Sequence, residues 1–287
     1  MSPVWSDVRI LPGLHFVATP LGNARDITLR ALDTLANADV LAAEDTRRLR
    51  QLMDIHAVPL KGRRIVAYHD HNGPKVRPVL LEALKEGKSV AYASDAGSPL
   101  VADPGFVLGR EAIAAGMDVF SVPGPSAVVA ALSVSGLPSD RFTFAGFPPQ
   151  PQGGKTRFLQ DLKDLSGTVI LYESPNRIVE TLSLAVDVLG ADRPAVLARE
   201  LTKKFEEVRR GTLSSVLESC VSDKPRGELV LLIGEGDKTV SQEDLDTALR
   251  EALEHSRLKD AAQQVSERFG VSRRDLYQRG LELQNDD

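Results

Sequence analysis

VAYASDAGSPLVADPG, residues 90–105, starts as a buried strand and ends as a stiff, acidic loop. Val90, Ala91 and Tyr92 carry the apolar run. The residues after them include Asp95, Asp103, Gly97, Gly105, Pro99 and Pro104. In an open parallel sheet, ligands bind beyond the carboxyl ends of the strands, where loop amides and helix N-termini point. A strand that ends this way therefore predicts a site at its end as well as a fold. Asp95 offers a carboxylate to a ligand hydroxyl or amine, and Ala96 and Gly97 let a ligand approach the main chain. Asp103 is expected to cap a helix beginning at Pro104, since Asp-Pro is a favourable helix start.

The same arrangement repeats on either side. LHFVAT (14–19), DVLAAE (39–44), RIVAYH (64–69) and DVFSVP (118–123) read as strands. ITLRALDTLANA (27–38) reads as a helix, with Ile27, Ala31, Leu35 and Ala38 at helical spacing, as do 75–86 and 106–115. This alternation predicts βαβ units and a mainly parallel sheet. Each strand is followed by a special loop: TPLGNARDIT, EDTRR, HDHN, SDAGSPLVADPG and VPGPSA. Pro20, Pro99, Pro104, Pro123 and Pro125 stiffen these loops and lower the entropic cost of holding a site open. Five such loops on one sheet edge are hard to read as turns alone. Neither GxGxxG nor GxxxxGK[ST] occurs, which argues against the common phosphate-cradling nucleotide folds.

A second half follows the small-residue helix AVVAALSVSGLPSD. Its strands are TVILYE (168–173), AVLARE (195–200) and GELVLLIGE (227–235), and its helices 176–189 and 212–221. The Pro/Gly/Gln run at 148–154 reads as an exposed loop. From 241 onward only helical periodicity remains, with a stop at Gly270 and Ser272 placed to cap the next helix. This reads as a helix-turn-helix or as a packed helical pair. The expected domains are residues 1–122, 123–238 and 239–287. The fold class is α/β: two α/β domains with a cleft between them, plus a small helical tail.

Composition narrows the function classes. A content of 42% hydrophobic and 26% charged residues is that of an ordinary globular chain. No run approaches ~20 apolar residues, and the first residues lack a secretion signal, so a cytoplasmic protein is expected. The single Cys220 and five scattered histidines leave no cysteine- or histidine-rich metal site. The net charge of −5 is unevenly placed, with 7 Lys/Arg against 11 Asp/Glu in residues 240–287. The nearly neutral remainder has basic clusters at Arg47, Arg48 and Arg50, at Lys61, Arg63 and Arg64, at Lys203 and Lys204, and at Arg209 and Arg210. Such clusters either meet phosphate or form solvated faces.

VATPLGNARDITLRAL, AAEDTRR, YHDHN, ASDAGSPLVADPG, VPGPSAVVAALSVSGLPSDRFTFAGFPP, YESPNRI, ARELTKKFEE and GELVLLI occur in that order. Together they resemble the small-subunit ribosomal RNA 2′-O-ribose methyltransferase I family, within the tetrapyrrole methylase fold, over about residues 12–236. The tail resembles that family's C-terminal helical domain. The resemblance implies a homodimeric enzyme that uses S-adenosylmethionine to methylate a cytidine ribose in the decoding centre of 16S rRNA, in the small ribosomal subunit. Asn176 stands where many members have His, and Leu21 where many have Ile. TPLGN replaces the GxGPGD loop of tetrapyrrole-modifying relatives, which points away from porphyrinoid substrates.

By position in these motifs, Pro20, Asp95, Gly97, Ser98, Ser126, Ala127 and Tyr172 are expected to line the cofactor cleft. Glu44, Asp45 or Glu206 would orient or deprotonate the ribose hydroxyl. Asn23, Arg47, His69, Arg177, Arg199 and Lys203 would meet the RNA. No metal is required. The alternative for the charged residues is an ion-pair network joining the halves, for instance Glu44 with Arg199. Competing functions are a tetrapyrrole C-methyltransferase and a non-enzymatic RNA-binding assembly factor.

Overall fold

The computed structural model describes residues 4–69, 71–101, 105–236 and 242–286. The first half has β1 (Gly13–Val17), α1 (Leu29–Asn37), β2 (Val40–Ala43), α2 (Thr46–Ile55) and β3 (Ile65–Ala67). It continues with α3 (Gly73–Lys85), β4 (Ser89–Ala93), α4 (Phe106–Ala114) and β5 (Val119–Val122). The strands form one sheet in the order β3-β2-β4-β1-β5, and every pairing is parallel. Alternate side chains serve two cores. Val17, Leu41 and Ala91 pack with Leu32 and Leu35 of α1 and with Leu49 and Met53 of α2. Leu14, Phe16, Val90 and Tyr92 pack with Leu80 and Leu84 of α3 and with Leu108 of α4. Burial on both faces is why these strands read as continuous apolar runs. Asp103 and Pro104, the expected cap and helix start, lie outside the described residues; α4 itself begins at Phe106 behind Gly105.

The second half has α5 (Ala127–Ser135), β6 (Phe142–Phe144), α6 (Gln152–Asp161), β7 (Thr168–Glu173) and α7 (Ile178–Leu189). After these come β8 (Pro194–Arg199), β9 (Glu207–Thr212), α8 (Leu213–Ser222) and β10 (Leu229–Ile233). The expectation of mainly parallel pairing fails here. The order is β6-β7-β10-β8-β9, and only β6 and β7 run parallel. β10 inserts antiparallel between β7 and β8, while β9 folds back on β8 through a short connection, which parallel strands could not use. α5 packs on one face of this sheet, Ala131 and Leu132 meeting Ile170, Val196 and Val230. α6, α7 and α8 cover the other face.

The stretch read as an exposed loop at 148–154 contains the start of α6. Two glycines weaken its helical signal. Tertiary contacts hold it instead: Leu159 is buried, and the buried Lys155 ammonium donates to Glu180 of α7 at 2.8 Å.

The chain forms two compact units, Met1–Gly236 and Asp237–Asp287. Among its described residues the second unit has three helices, one more than the two flanking Gly270 that the sequence predicts: α9 (Gln242–Leu253), α10 (Leu258–Phe269) and α11 (Arg273–Asp286). Leu249, Ala262, Val265 and Leu276 form its core. Gly270, at φ 68°, closes α10, and the Ser272 carbonyl accepts the first amides of α11, from Asp275 and Leu276. Among the described residues no helix is long and apolar enough to cross a membrane.

Candidate active site

The first sheet's loops face an edge of the second sheet built from three strand ends. Leu229 at the start of β10 lies opposite Glu173 at the end of β7 and Arg199 at the end of β8. Between the halves is a cavity of about 440 Å³, the size range of small-molecule sites. Its walls include Leu21, Glu44, Arg48, Asp95 and Gly97 from the first half, Ser126 and Ala127 at the crossover, and Phe147, Tyr172 and Glu228 from the second.

The loop after β4 forms one wall, and its shape is fixed by its partners. Gly97, at φ 80°, exchanges amide hydrogen bonds with Thr19 in both directions, each 2.9 Å. The Thr19 hydroxyl donates to the Ser94 carbonyl at 3.0 Å, and the Ser98 hydroxyl to the Pro125 carbonyl at 3.0 Å. The loops after β1, β4 and β5 are thus tied into one surface. A Cβ on Gly97 would stand 3.1 Å from Leu21 Cδ2. The Asp95 carboxylate accepts the Asp45 amide at 2.8 Å and lies 3.5 Å from the Arg48 guanidinium, which joins the loop after β2 to the same wall. Ser126 is the N-cap of α5, yet its side chain makes no capping bond.

On the opposite wall, Phe147 is 53% exposed and meets the Tyr172 ring at 5.5 Å between centroids. Below them Glu173 is fully buried. It accepts from the Arg177 guanidinium, the Ser174 amide and the Thr181 hydroxyl, each at 2.7 Å. This cluster fixes the direction in which Ser174 and Pro175 leave β7 along the cavity. Gly227, at φ 83°, makes room for the Glu200 side chain.

One clamp joins the halves at the cavity rim. Lys203 donates to Glu200 at 2.8 Å and to Glu228 at 2.6 Å, and its aliphatic stem covers Gly22 of the first half. The Asn23 amide donates to the Thr202 hydroxyl at 3.3 Å. Burial pulls the Lys203 pKa down, but the two carboxylates outweigh it and leave it raised. The Lys203 ammonium, followed by the Glu228 amide, lowers the Glu200 pKa from 4.5. Folding therefore favours ionised Glu200. That contribution is complete above the unfolded value of 4.5 and is lost as pH falls through the lower folded value. The Lys203 contribution persists up to its unfolded value of 10.5 and is lost as pH rises through the higher folded one. Lys203→Ala should lower stability at pH 7 by about 1–2 kcal/mol, mostly through the Glu200 contact, because Glu228 is well exposed. The difference should shrink below pH 4.5, and thermal melts of both proteins at pH 7 and pH 3 check it. An equal deficit at both pH values would rule out the charge interaction.

Of the residues expected from sequence, Glu44, Asp95, Gly97, Ser98, Ser126, Ala127 and Tyr172 line this cavity. Pro20 lines an adjoining depression that shares Arg48 and Asp95 with it. The others lie outside it. The Asp45 carboxylate caps α2 by accepting the Arg47 amide, and bonds to the Arg47 guanidinium and amide hold its pKa down at about 2. Arg47 is 90% exposed. Glu206 accepts the Thr202 amide within its own turn, and Asn23 caps the short 3-10 turn Ala24–Asp26. Arg177 is committed to Glu173. Arg199 pairs with Glu207 and the Arg226 carbonyl, both in the second half. His69 donates its amide to Asn72, and its buried Nδ1 has no partner. The sequence reading missed Arg48, Phe147, Glu173 and Glu228. All four lay inside quoted motifs: Arg48 in EDTRR, Phe147 in FTFAGFPP, Glu173 in YESPNRI and Glu228 in GELVLLI.

Residues 13–217 match the family described as Tetrapyrrole (Corrin/Porphyrin) Methylases, and residues 239–284 match the RsmI C-terminal HTH domain. The chain is 46% identical over 276 residues to the ribosomal RNA small subunit methyltransferase I of Mesorhizobium japonicum, covering 96% of this chain and 93% of the relative. Identity to the Vibrio cholerae protein of the same name is 43% over 277 residues, covering 94% and 95%. Among solved structures, uroporphyrin-III C-methyl transferase from Thermus thermophilus, complexed with S-adenyl homocysteine, is similar at TM-score 0.55 and 20% identity, over 78% of this chain and 97% of that one. That likeness concerns the fold.

Proposed function

The chain belongs to the ribosomal RNA small subunit methyltransferase I family, and from that premise we propose that it transfers a methyl group from S-adenosylmethionine to the 2′-hydroxyl of a decoding-centre cytidine in 16S rRNA. The observation that carries the site assignment is the cavity between the halves. The carboxylates in its lining are Glu44, Asp95 and Glu228, against one guanidinium, Arg48; Glu173 also borders it, but its carboxylate is buried against Arg177. Lys203 neutralises Glu228 from outside. A cationic donor suits such a lining. Gly97 keeps the wall free of a Cβ that would crowd Leu21, and the volume of about 440 Å³ suits a ligand of this size.

S-adenosylmethionine supplies an already activated methyl group, so the protein's main task is alignment. Asp95, held by the Asp45 amide, accepts hydrogen bonds from the donor without swinging. The amides at the start of α5 suit the donor's carboxylate. Phe147 and Tyr172 provide flat apolar faces. Glu44 is the carboxylate we assign to the ribose hydroxyl, where it orients the proton and receives it as the oxygen reacts. Asp45 and Glu206 are set aside for this role because neither lines the cavity, whereas Glu44 does. The homodimer implied by the family is part of the proposal, and sedimentation of the full chain reports it.

The test is transfer of labelled methyl to small ribosomal subunits, with a tetrapyrrole acceptor in parallel, followed by alkaline hydrolysis of the RNA. A 2′-O-methyl group protects its neighbouring phosphodiester, so label is expected in an uncut dinucleotide. Label in mononucleotides, or only in the tetrapyrrole, overturns the reading. Glu44→Gln should lower turnover about 10²- to 10⁴-fold while cofactor affinity by calorimetry changes little. Unchanged turnover would remove Glu44 from the reaction.

A further inference from the structure

The donor cavity is the middle of a longer run of depressions that share walls. On one side it shares Arg48 and Asp95 with a hollow of about 300 Å³. That hollow in turn shares Gln51 and Ile55 with an open trough of about 740 Å³ between α2 and β3. On the other side the cavity shares Pro175 and Gly227 with a recess of about 600 Å³ at the connection from α8 to β10.

Charge changes sign along this run. Carboxylates gather in the middle, whereas both ends are cationic. The α2 trough presents Arg47, Arg50 and Arg64, and the far recess presents Arg199, Lys224 and Arg226. Part of this charge is already paired within the protein, Arg47 with Asp45, Arg50 with Asp54 and Arg199 with Glu207, while Asp223 is taken by Arg209. No salt bridge occupies Arg64, Lys224 or Arg226 among the described residues. All three are exposed.

A polyanion laid along this path would keep its phosphates on the two flanks and off the acidic middle, which leaves a sugar over the donor. The geometry points to a single-stranded RNA track that enters over α2 and β3, crosses the donor cavity and leaves past Lys224 and Arg226. A cationic groove on either side of a pocket is how proteins follow an unpaired backbone. This rests on the function proposed above and adds to it the path of the substrate and a second phosphate-holding arm, in the second half.

The experiment measures binding of a single-stranded oligoribonucleotide containing the substrate cytidine, as a function of salt. It compares wild type, Arg47→Ala/Arg64→Ala, Lys224→Ala/Arg226→Ala and a control, Lys75→Ala/Arg110→Ala, whose residues lie on α3 and α4. Each phosphate contact on a single strand contributes about 0.7 to the salt slope, so each arm variant should flatten it by about 1.4. The control should keep the wild-type slope, and all four proteins should bind cofactor equally by calorimetry. A wild-type slope in either arm variant, or a control as flattened as the arms, overturns the track. Methylation of small subunits by the wild type is run alongside. If it fails, the functional reading has failed; if it succeeds while the slopes do not move, only the track has.

Discussion

Glu173→Ala should destabilise the protein by about 3–5 kcal/mol, as expected when one member of a buried ion pair is removed. The carboxylate is fully buried, and Arg177, with 22% of its side chain exposed, is its cationic partner. Removing the acid leaves the guanidinium without a counter-charge, and it takes the acceptor from the Ser174 amide and the Thr181 hydroxyl. Glu173→Gln keeps one acceptor oxygen and nearly the same volume, so it should fall between wild type and the Ala variant. Urea denaturation of the three proteins measures the series. A loss below about 1 kcal/mol for the Ala variant would mean that the cluster relaxes or admits water, contrary to its tight geometry. Because Ser174 and Pro175 also line the cavity, cofactor affinity should fall with stability.

Gly97→Ala should weaken cofactor binding about tenfold or more, the equivalent of about 1.4 kcal/mol. The cost has two parts. At φ 80° an L-residue loses roughly 1–2 kcal/mol of backbone energy, and the new Cβ crowds Leu21 within the cavity wall. Gly116→Ala separates these parts. Gly116 has φ 73° but open space where a Cβ would stand. Gly116→Ala should show the backbone cost alone and Gly97→Ala a somewhat larger loss of stability, and only Gly97→Ala should lose affinity by calorimetry. Equal affinities would place the donor away from this loop.

The first half was legible because its strands are buried on both faces and its loops break pattern with Pro and Gly. The second half hid two edge strands. β9, EVRRGT, carries Glu207, Arg209 and Arg210, charges that protect a sheet edge and erase the apolar signal. β6 has only three residues. In the site, positions set by backbone shape, such as Gly97 and Ser126, could be read from a single motif. Positions set by partners could not. Lys203 finds Glu228 only because β10 inserts beside β8. The choice between Glu44 and Asp45 was closer to hand. An Asp followed by Thr-Arg-Arg reads as a helix cap, and a capping carboxylate is turned toward its own helix, leaving its neighbour to face the cleft.

The paired amide bonds between Thr19 and Gly97 also bear on the kinetics of donor capture. A loop held to another strand's end by two main-chain bonds has given up its conformational freedom before any ligand arrives. The Gly97 amide should then exchange with solvent deuterium as slowly as the amides of β1 and β4, and addition of donor should change that rate little. Donor capture accordingly resembles a collision with a finished wall, and its rate should rise linearly with donor concentration, without the plateau that a slow loop closure would impose.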